Sequence, residues 1–239
     1  MPNMENRIFA ALDTTDVEEA TALAKRLKGS VGGVKLGLEF FSANGANGVR
    51  TVARAGLPIF LDLKFHDIPN TVAGAVRAAV KLRPKILNVH ASGGPAMMRA
   101  AAEAAREAAE TLKAPRPLVI AVTVLTSLDN DDLGAIGQQG PAADQVLRLA
   151  RLTQDCGLDG VVCSPQETAS VRAACGPDFK LVVPGIRPSL SLSNDQKRTS
   201  SPSEAVSAGA DYLVIGRPIT KAPDPAAAAR AMAAALGGS

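Results

Sequence analysis

Short apolar runs alternate with longer amphipathic stretches along the whole chain. Runs rich in Val, Ile and Leu begin at residues 8 (IFAALD), 32 (GGVKLGL), 59 (IFLDLKF), 86 (ILNVHA), 118 (LVIAVTVLT), 160 (GVVCS), 180 (KLVVPGI) and 212 (YLVIGR). The first and last starts lie 204 residues apart over seven intervals, a mean step of about 29, close to one strand–helix–strand unit. Alanine-rich stretches at 17–28, 69–82, 95–113, 142–156 and 225–236 carry apolar residues at helical spacing. Strands separated by helices pair in parallel, because a parallel neighbour needs a crossover connection. Eight such units in 239 residues predict an α/β fold of one domain, a closed (β/α)8 barrel over 1–239. An open doubly wound sheet is the alternative. It would usually carry a glycine-rich turn after the first strand, where this chain reads LDTTD.

Two connections are long and polar, 127–141 (SLDNDDLGAIGQQGP) and 188–202 (PSLSLSNDQKRTSSP). Both follow strand runs, at the barrel end where active sites sit, and loops of this length often act as lids.

Charged residues inside apolar strands are costly unless they are paired or used. The densest group is LDLKFHDIPNTV, residues 61–72. A strand period of two places Asp62 and Lys64 on one face and Leu61, Leu63 and Phe65 on the other, so the charged pair points to the barrel axis. Asp67 follows where the strand has turned outwards, and Pro69 suits the first turn of the next helix. Lys35 lies inside VKLGL, and Asp13 ends the first strand. His90 ends the fourth and reads as a hydrogen-bonded rim histidine. Thr123, Thr126 and Ser127 end the fifth. Ser164 ends the sixth and reads as the cap of a helix starting at Pro165. Arg187 follows Pro184-Gly185 after the seventh strand, and Gly216-Arg217 ends the eighth. Loops after strands seven and eight of such barrels frequently hold phosphate. Glycine admits the anion to backbone N–H groups and arginine grips it bidentately. The expected ligand is therefore a phosphorylated small molecule.

Lys35, Asp62, Lys64 and Asp67 would alternate in sign and sum to zero. A carboxylate in such an array, set against a substrate carboxylate, is relieved when CO₂ departs. A neighbouring ammonium stabilises the carbanion that forms and then protonates it. No flavin, pyridoxal or thiamine motif is visible, so the expectation is a cofactor-free and metal-free reaction.

Composition narrows the class further. Charged residues make up 21% and the net charge is +3, with no basic patch to follow a nucleic-acid backbone. Aromatics are 3%, with no Trp, which leaves few stacking platforms for bases. No apolar run is long enough for a membrane helix, and the amino terminus lacks a secretory pattern. Cys156, Cys163 and Cys175 have no paired short spacing and read as small buried hydrophobes. The expected setting is cytoplasmic.

Taken in order, ALDTTD, VKLGLEFF, FLDLKFHDIPNTV, NVHASGG, VTVLTS, VVPGIRP, NDQKR and ADYLVIGRPIT resemble the orotidine 5′-phosphate decarboxylase family along almost the whole chain. The D-x-K-x-x-D core is shared with a wider group of barrels, and Lys35 rather than a glutamate on the second strand sharpens the match. The resemblance implies that Lys64 protonates C6 of the pyrimidine and Asp62 faces the substrate carboxylate. It implies that Lys35 orients Asp62 and touches the ribose. Asp67 would enter the partner subunit's site in a homodimer, with Ile68 beside it. Asp13 and Thr71 would bind ribose, and Thr126 and Ser127 the pyrimidine edge. Pro184 would line the site. Gln196, Arg217 and the Gly216 amide would hold phosphate, with Arg187 on the closing lid. The alternatives are a magnesium-dependent barrel acting on keto-sugar phosphates, which would need a glutamate such as Glu39 near the second strand, and a non-catalytic phosphate-binding barrel.

Overall fold

A computed structural model describes residues 6–138, 140–187 and 200–236. Eight parallel strands close into a barrel in sequence order: β1 (Ile8–Ala11), β2 (Gly33–Gly37), β3 (Ile59–Phe65), β4 (Ile86–His90), β5 (Leu118–Val122), β6 (Gly160–Val162), β7 (Lys180–Val183) and β8 (Tyr212–Ile215). β8 closes onto β1 through the pairs Ile8–Leu213, Phe9–Val214 and Ala10–Ile215. The eight-strand expectation is met at each position, and the open sheet is excluded.

The strands bury both faces. Phe9, Phe60, Ile86, Ile120, Val182 and Val214 point inwards and plug the barrel below its mouth. Phe9 meets Phe60 and Tyr212 edge to face, with centroids 6.3 and 5.6 Å apart. Gly33 leaves the room for this: a Cβ there would lie 2.3 Å from the Phe9 ring and 2.6 Å from the Pro58 carbonyl oxygen. The alternate positions, such as Ile8, Leu36, Leu61 and Leu87, face the helical layer.

Helices α1 (Val17–Leu27), α2 (Leu38–Ala53), α3 (Pro69–Val80), α4 (Gly94–Thr111), α5 (Asn130–Ala135), α6 (Ala142–Asp155), α7 (Thr168–Cys175), α8 (Pro202–Ser207), α9 (Arg217–Thr220) and α10 (Pro225–Ala234) surround the barrel. Local chemistry starts several of them. Asp16 accepts the Glu18 and Glu19 N–H groups at the head of α1, Pro69 opens α3, and Asp224 accepts those of Ala226 and Ala227 before α10. The Ala and Met residues of α4 let it pack closely, burying Met97, Met98, Ala101, Ala104 and Ala105.

Three local expectations need correction. The polar stretch 127–141 holds a short helix, α5, started by a reciprocal Asp129–Asp132 capping box. Ser164 does not cap a helix at Pro165: its N–H and hydroxyl both bond the Glu167 carboxylate, and α7 begins only at Thr168. The third departure lies in β3. Between the pairs Leu61–Leu87 and Phe65–Val89, three residues of β3 stand opposite Asn88 alone. Lys64 sits there at φ 51, in the left-handed region that non-glycine residues seldom occupy.

Candidate active site

The carboxyl ends of the strands deliver charge to one place. Asp62 follows Phe60 on the inner face of β3, one step nearer the mouth, and is 7% exposed. Lys35 reaches it from β2, with Nζ 3.3 Å from Oδ2, and Lys64 Nζ lies 2.6 Å from Oδ1. Lys35 Nζ also lies 3.4 Å from Asp13 Oδ1, beyond the end of β1. Within this chain the alternating row is therefore Asp13, Lys35, Asp62, Lys64. Asp67 is not part of it: its Oδ1 accepts its neighbour Ile68's N–H at 2.6 Å, and the side chain faces solvent ahead of α3.

Burial alone would raise the pKa of the Asp62 carboxyl. The Lys35 and Lys64 ammoniums, with hydrogen bonds from Lys64 and Asn88, outweigh that and hold it below the ordinary carboxylate value. Asp62 is thus an anion fixed between two cations. The pKa of His90, at the end of β4, is also lowered, by burial first and then by the neighbouring His66 and Lys64, against the pull of Asp62. Its ring lies tilted over that of His66, centroids 5.5 Å apart.

Above this row opens a cavity of roughly 470 Å³. Asp13, Lys35, Asp62 and Lys64 form one part of its wall, and Thr126, Pro184, Arg187, Gly216 and Arg217 another. Gly216 follows β8 directly and sits at the cap position of the short helix α9, whose first residue is Arg217. The Arg187 N–H donates to the Ser200 carbonyl at 2.9 Å, and the Ser200 N–H to that of Gly185 at 3.3 Å. The two ends of the long loop after β7 are thereby pinned together beside the cavity. Gln196 lies outside the described residues.

Asp67, Ile68, Thr71 and Ser127 are not brought to this cavity by one chain; all four are exposed. Ile68 is 67% exposed, high for an isoleucine. Glu39 lies outside β2, in the first turn of α2, and is exposed. Two wall or support residues were missed. Lys221 lines the cavity just after α9, without a local signal of its own. Asn88 is fully buried beneath it, and its signal was a polar residue inside the apolar run ILNVH. Cys156, Cys163 and Cys175 are buried free thiols. Among the described residues, no group of three or more His, Cys, Asp and Glu side chains is placed to hold a metal ion, and no helix is long and apolar enough to cross a membrane.

Fold and cavity define a (β/α)8-barrel enzyme with a charged acid–base centre at its carboxyl-terminal mouth. A model of the Orotidine 5'-phosphate decarboxylase / HUMPS family matches residues 6–232, and the chain belongs to that family. It is 62% identical to the orotidine 5'-phosphate decarboxylase of Rhodospirillum rubrum, covering 98% of this chain and 95% of that one. Identity to the protein of the same name from Paramagnetospirillum magneticum is 57%, covering 98% of this chain and all of the relative. The crystal structure of orotidine 5'-phosphate decarboxylase from Lactobacillus acidophilus superimposes with a TM-score of 0.85 at 35% identity, covering 97% of this chain and 99% of that one.

Proposed function

We propose that the protein decarboxylates orotidine 5′-monophosphate to UMP and CO₂, the closing step of pyrimidine nucleotide synthesis, without cofactor or metal. The observation that carries this reading is the buried Asp62 carboxylate held between two ammoniums on the wall of a cavity that also presents Gly216 and Arg217. The substrate carboxylate lies against Asp62, and their repulsion is relieved as the C6–carboxylate bond breaks. The electron pair stays on C6 and takes a proton from Lys64 Nζ; solvent then restores the ammonium. Lys35 holds Asp62 and reaches the ribose, which Asp13 also binds. Thr126 and Ser127 read the pyrimidine, and Pro184 lines its slot. Gly216, Arg217 and Gln196 take the phosphate, and Arg187 closes with the long loop.

Asp67, Ile68 and Thr71 complete the site of a second copy. Their exposure in the single chain supports this reading, which makes the functional unit a cytoplasmic homodimer of single-domain subunits. Phosphate binding far from the reacting carbon lets remote binding energy assist the chemistry. The test is ultraviolet absorbance of the purified protein with orotidine 5′-monophosphate in EDTA. Conversion to UMP is expected. A folded dimer that turns over nothing in EDTA, yet acts on a keto-sugar phosphate with Mg²⁺, would overturn the reading and turn attention to Glu39.

A further inference from the structure

We infer that Asn88, buried beneath the cavity, is a positioning residue that fixes both the Lys64 backbone and the Asp62 carboxylate in their working geometry. This rests on the decarboxylase reading and deepens it. In the gap between the pairs Leu61–Leu87 and Phe65–Val89, β3 carries three residues and β4 one. Ordinary strand pairing cannot serve the extra backbone, and the Asn88 side chain takes its place. Its Oδ1 accepts the Lys64 N–H at 2.8 Å, and its Nδ2 donates to Asp62 Oδ1 at 2.7 Å. The amide orientation is dictated, since a backbone N–H only donates and a carboxylate only accepts.

The two bonds have different consequences. The first satisfies a backbone donor at a residue with φ 51, a conformation that persists only where its surroundings enforce it. That conformation lets Lys64, two residues after Asp62, aim Nζ back at the same carboxylate oxygen. The second ties down Oδ1 itself, which Lys64 Nζ shares at 2.6 Å while Lys35 takes Oδ2. One buried amide thus locks the proton donor and the anion it works against. An apolar residue of similar size could fill the space and do neither.

The charged and titratable groups around Asn88 are Asp62 and Lys64 on β3, Lys35 on β2, Asp13 beyond β1, and the neighbouring rings of His90 and His66. On its other side β5 reads LVIAV, with nothing to titrate. A substituted aspartate would therefore face Asp62 directly. Protonated, it could donate to Asp62 and accept from Lys64 N–H, as asparagine does. Ionised, it would set carboxylate against carboxylate.

The experiment compares Asn88→Ala and Asn88→Asp with the wild-type enzyme in kcat, UMP affinity and pH profile. Asn88→Ala is expected to lower kcat about 10–100-fold through a displaced donor, with the Kd for UMP within about threefold, since the phosphate and ribose groups sit elsewhere. Asn88→Asp is expected to regain activity relative to wild type as pH falls from about 8 to about 5, because like charges raise one carboxyl pKa. Asn88→Ala, with nothing to protonate, shows no such recovery. Near-normal kcat in Asn88→Ala overturns the inference. So do matching pH profiles for the two variants with kcat and UMP binding lost in parallel, the mark of a merely structural role. Should Asn88→Ala not fold, Asn88→Ser replaces it, and full kcat there counts equally against the inference. Wild-type protein that fails to decarboxylate orotidine 5′-monophosphate sinks the functional reading instead.

Discussion

Lys64 at φ 51 makes a stability prediction whose sign is diagnostic. Consider Lys64→Gly and Lys64→Ala. Both delete the ammonium that sits 2.6 Å from Asp62 Oδ1, and both keep the backbone N–H held by Asn88. They differ only in the Cβ. For alanine the left-handed conformation costs about 1–2 kcal/mol. Glycine avoids that strain but loses roughly 0.5–1 kcal/mol more conformational freedom on folding. The balance leaves the glycine variant about 0.5–1 kcal/mol more stable, which for a chain of this size corresponds to about 1–4 °C in Tm. Urea unfolding at matched protein concentration, with the slopes compared, reads the difference. A control pair at Leu61, which has no positive φ, should show the usual order, alanine above glycine. If Lys64→Ala equals or exceeds Lys64→Gly in stability, the strained backbone inferred at the reacting lysine is wrong.

Other consequences are equally open to measurement. The folded Asp62 carboxyl lies below its reference value of 3.8, so its contribution to stability is complete above that pH and is lost as pH falls through the depressed folded value. Urea titrations should show the gap between wild type and Asp62→Asn steady from neutral pH to about 5 and shrinking below about 4; a gap that widens on acidification would count against the ion-pair account. Lys64→Ala and Asp67→Asn subunits, each nearly inactive alone, should on reassortment recover about a quarter of wild-type activity, since half the dimers are mixed and each restores one site of two. Verified mixed dimers without activity would remove Asp67 from the neighbouring site. Arg217→Ala should raise KM for orotidine 5′-monophosphate about 10–100-fold by removing a charge-assisted contact to phosphate; an unchanged KM would place the phosphate elsewhere. Cys163 is fully buried and its thiol is pushed up to about 12 by burial, so a maleimide should label it only after unfolding. Rapid labelling of native protein, read by mass spectrometry, would contradict that burial.

The eight strands and five of the helices were legible along the chain because their signals are local: β-branched runs about 30 residues apart, alanine-rich amphipathic stretches, and caps such as Asp16 and Pro69. Helix α2 was not, since SANGANG dilutes its pattern and the helix is interrupted at Gly45. Lys35, Asp62 and Lys64 stood out for an equally local reason, because charge within an apolar strand is expensive and invites a partner. The partners were another matter. Strand alternation put Asp62 and Lys64 on one face, but only the pairing of β3 with β4 creates the gap that turns Lys64 left-handed and gives Asn88 its two bonds. Pairing of β1 with β2 brings Asp13 to Lys35, and barrel closure sets Gly216 and Arg217 on the wall of the same cavity as Lys64, which precedes them by more than 150 residues. Period and propensity are written in neighbouring residues. Register, bulges and the direction of a buried amide are decided between strands that are distant in the chain and meet only in the folded sheet.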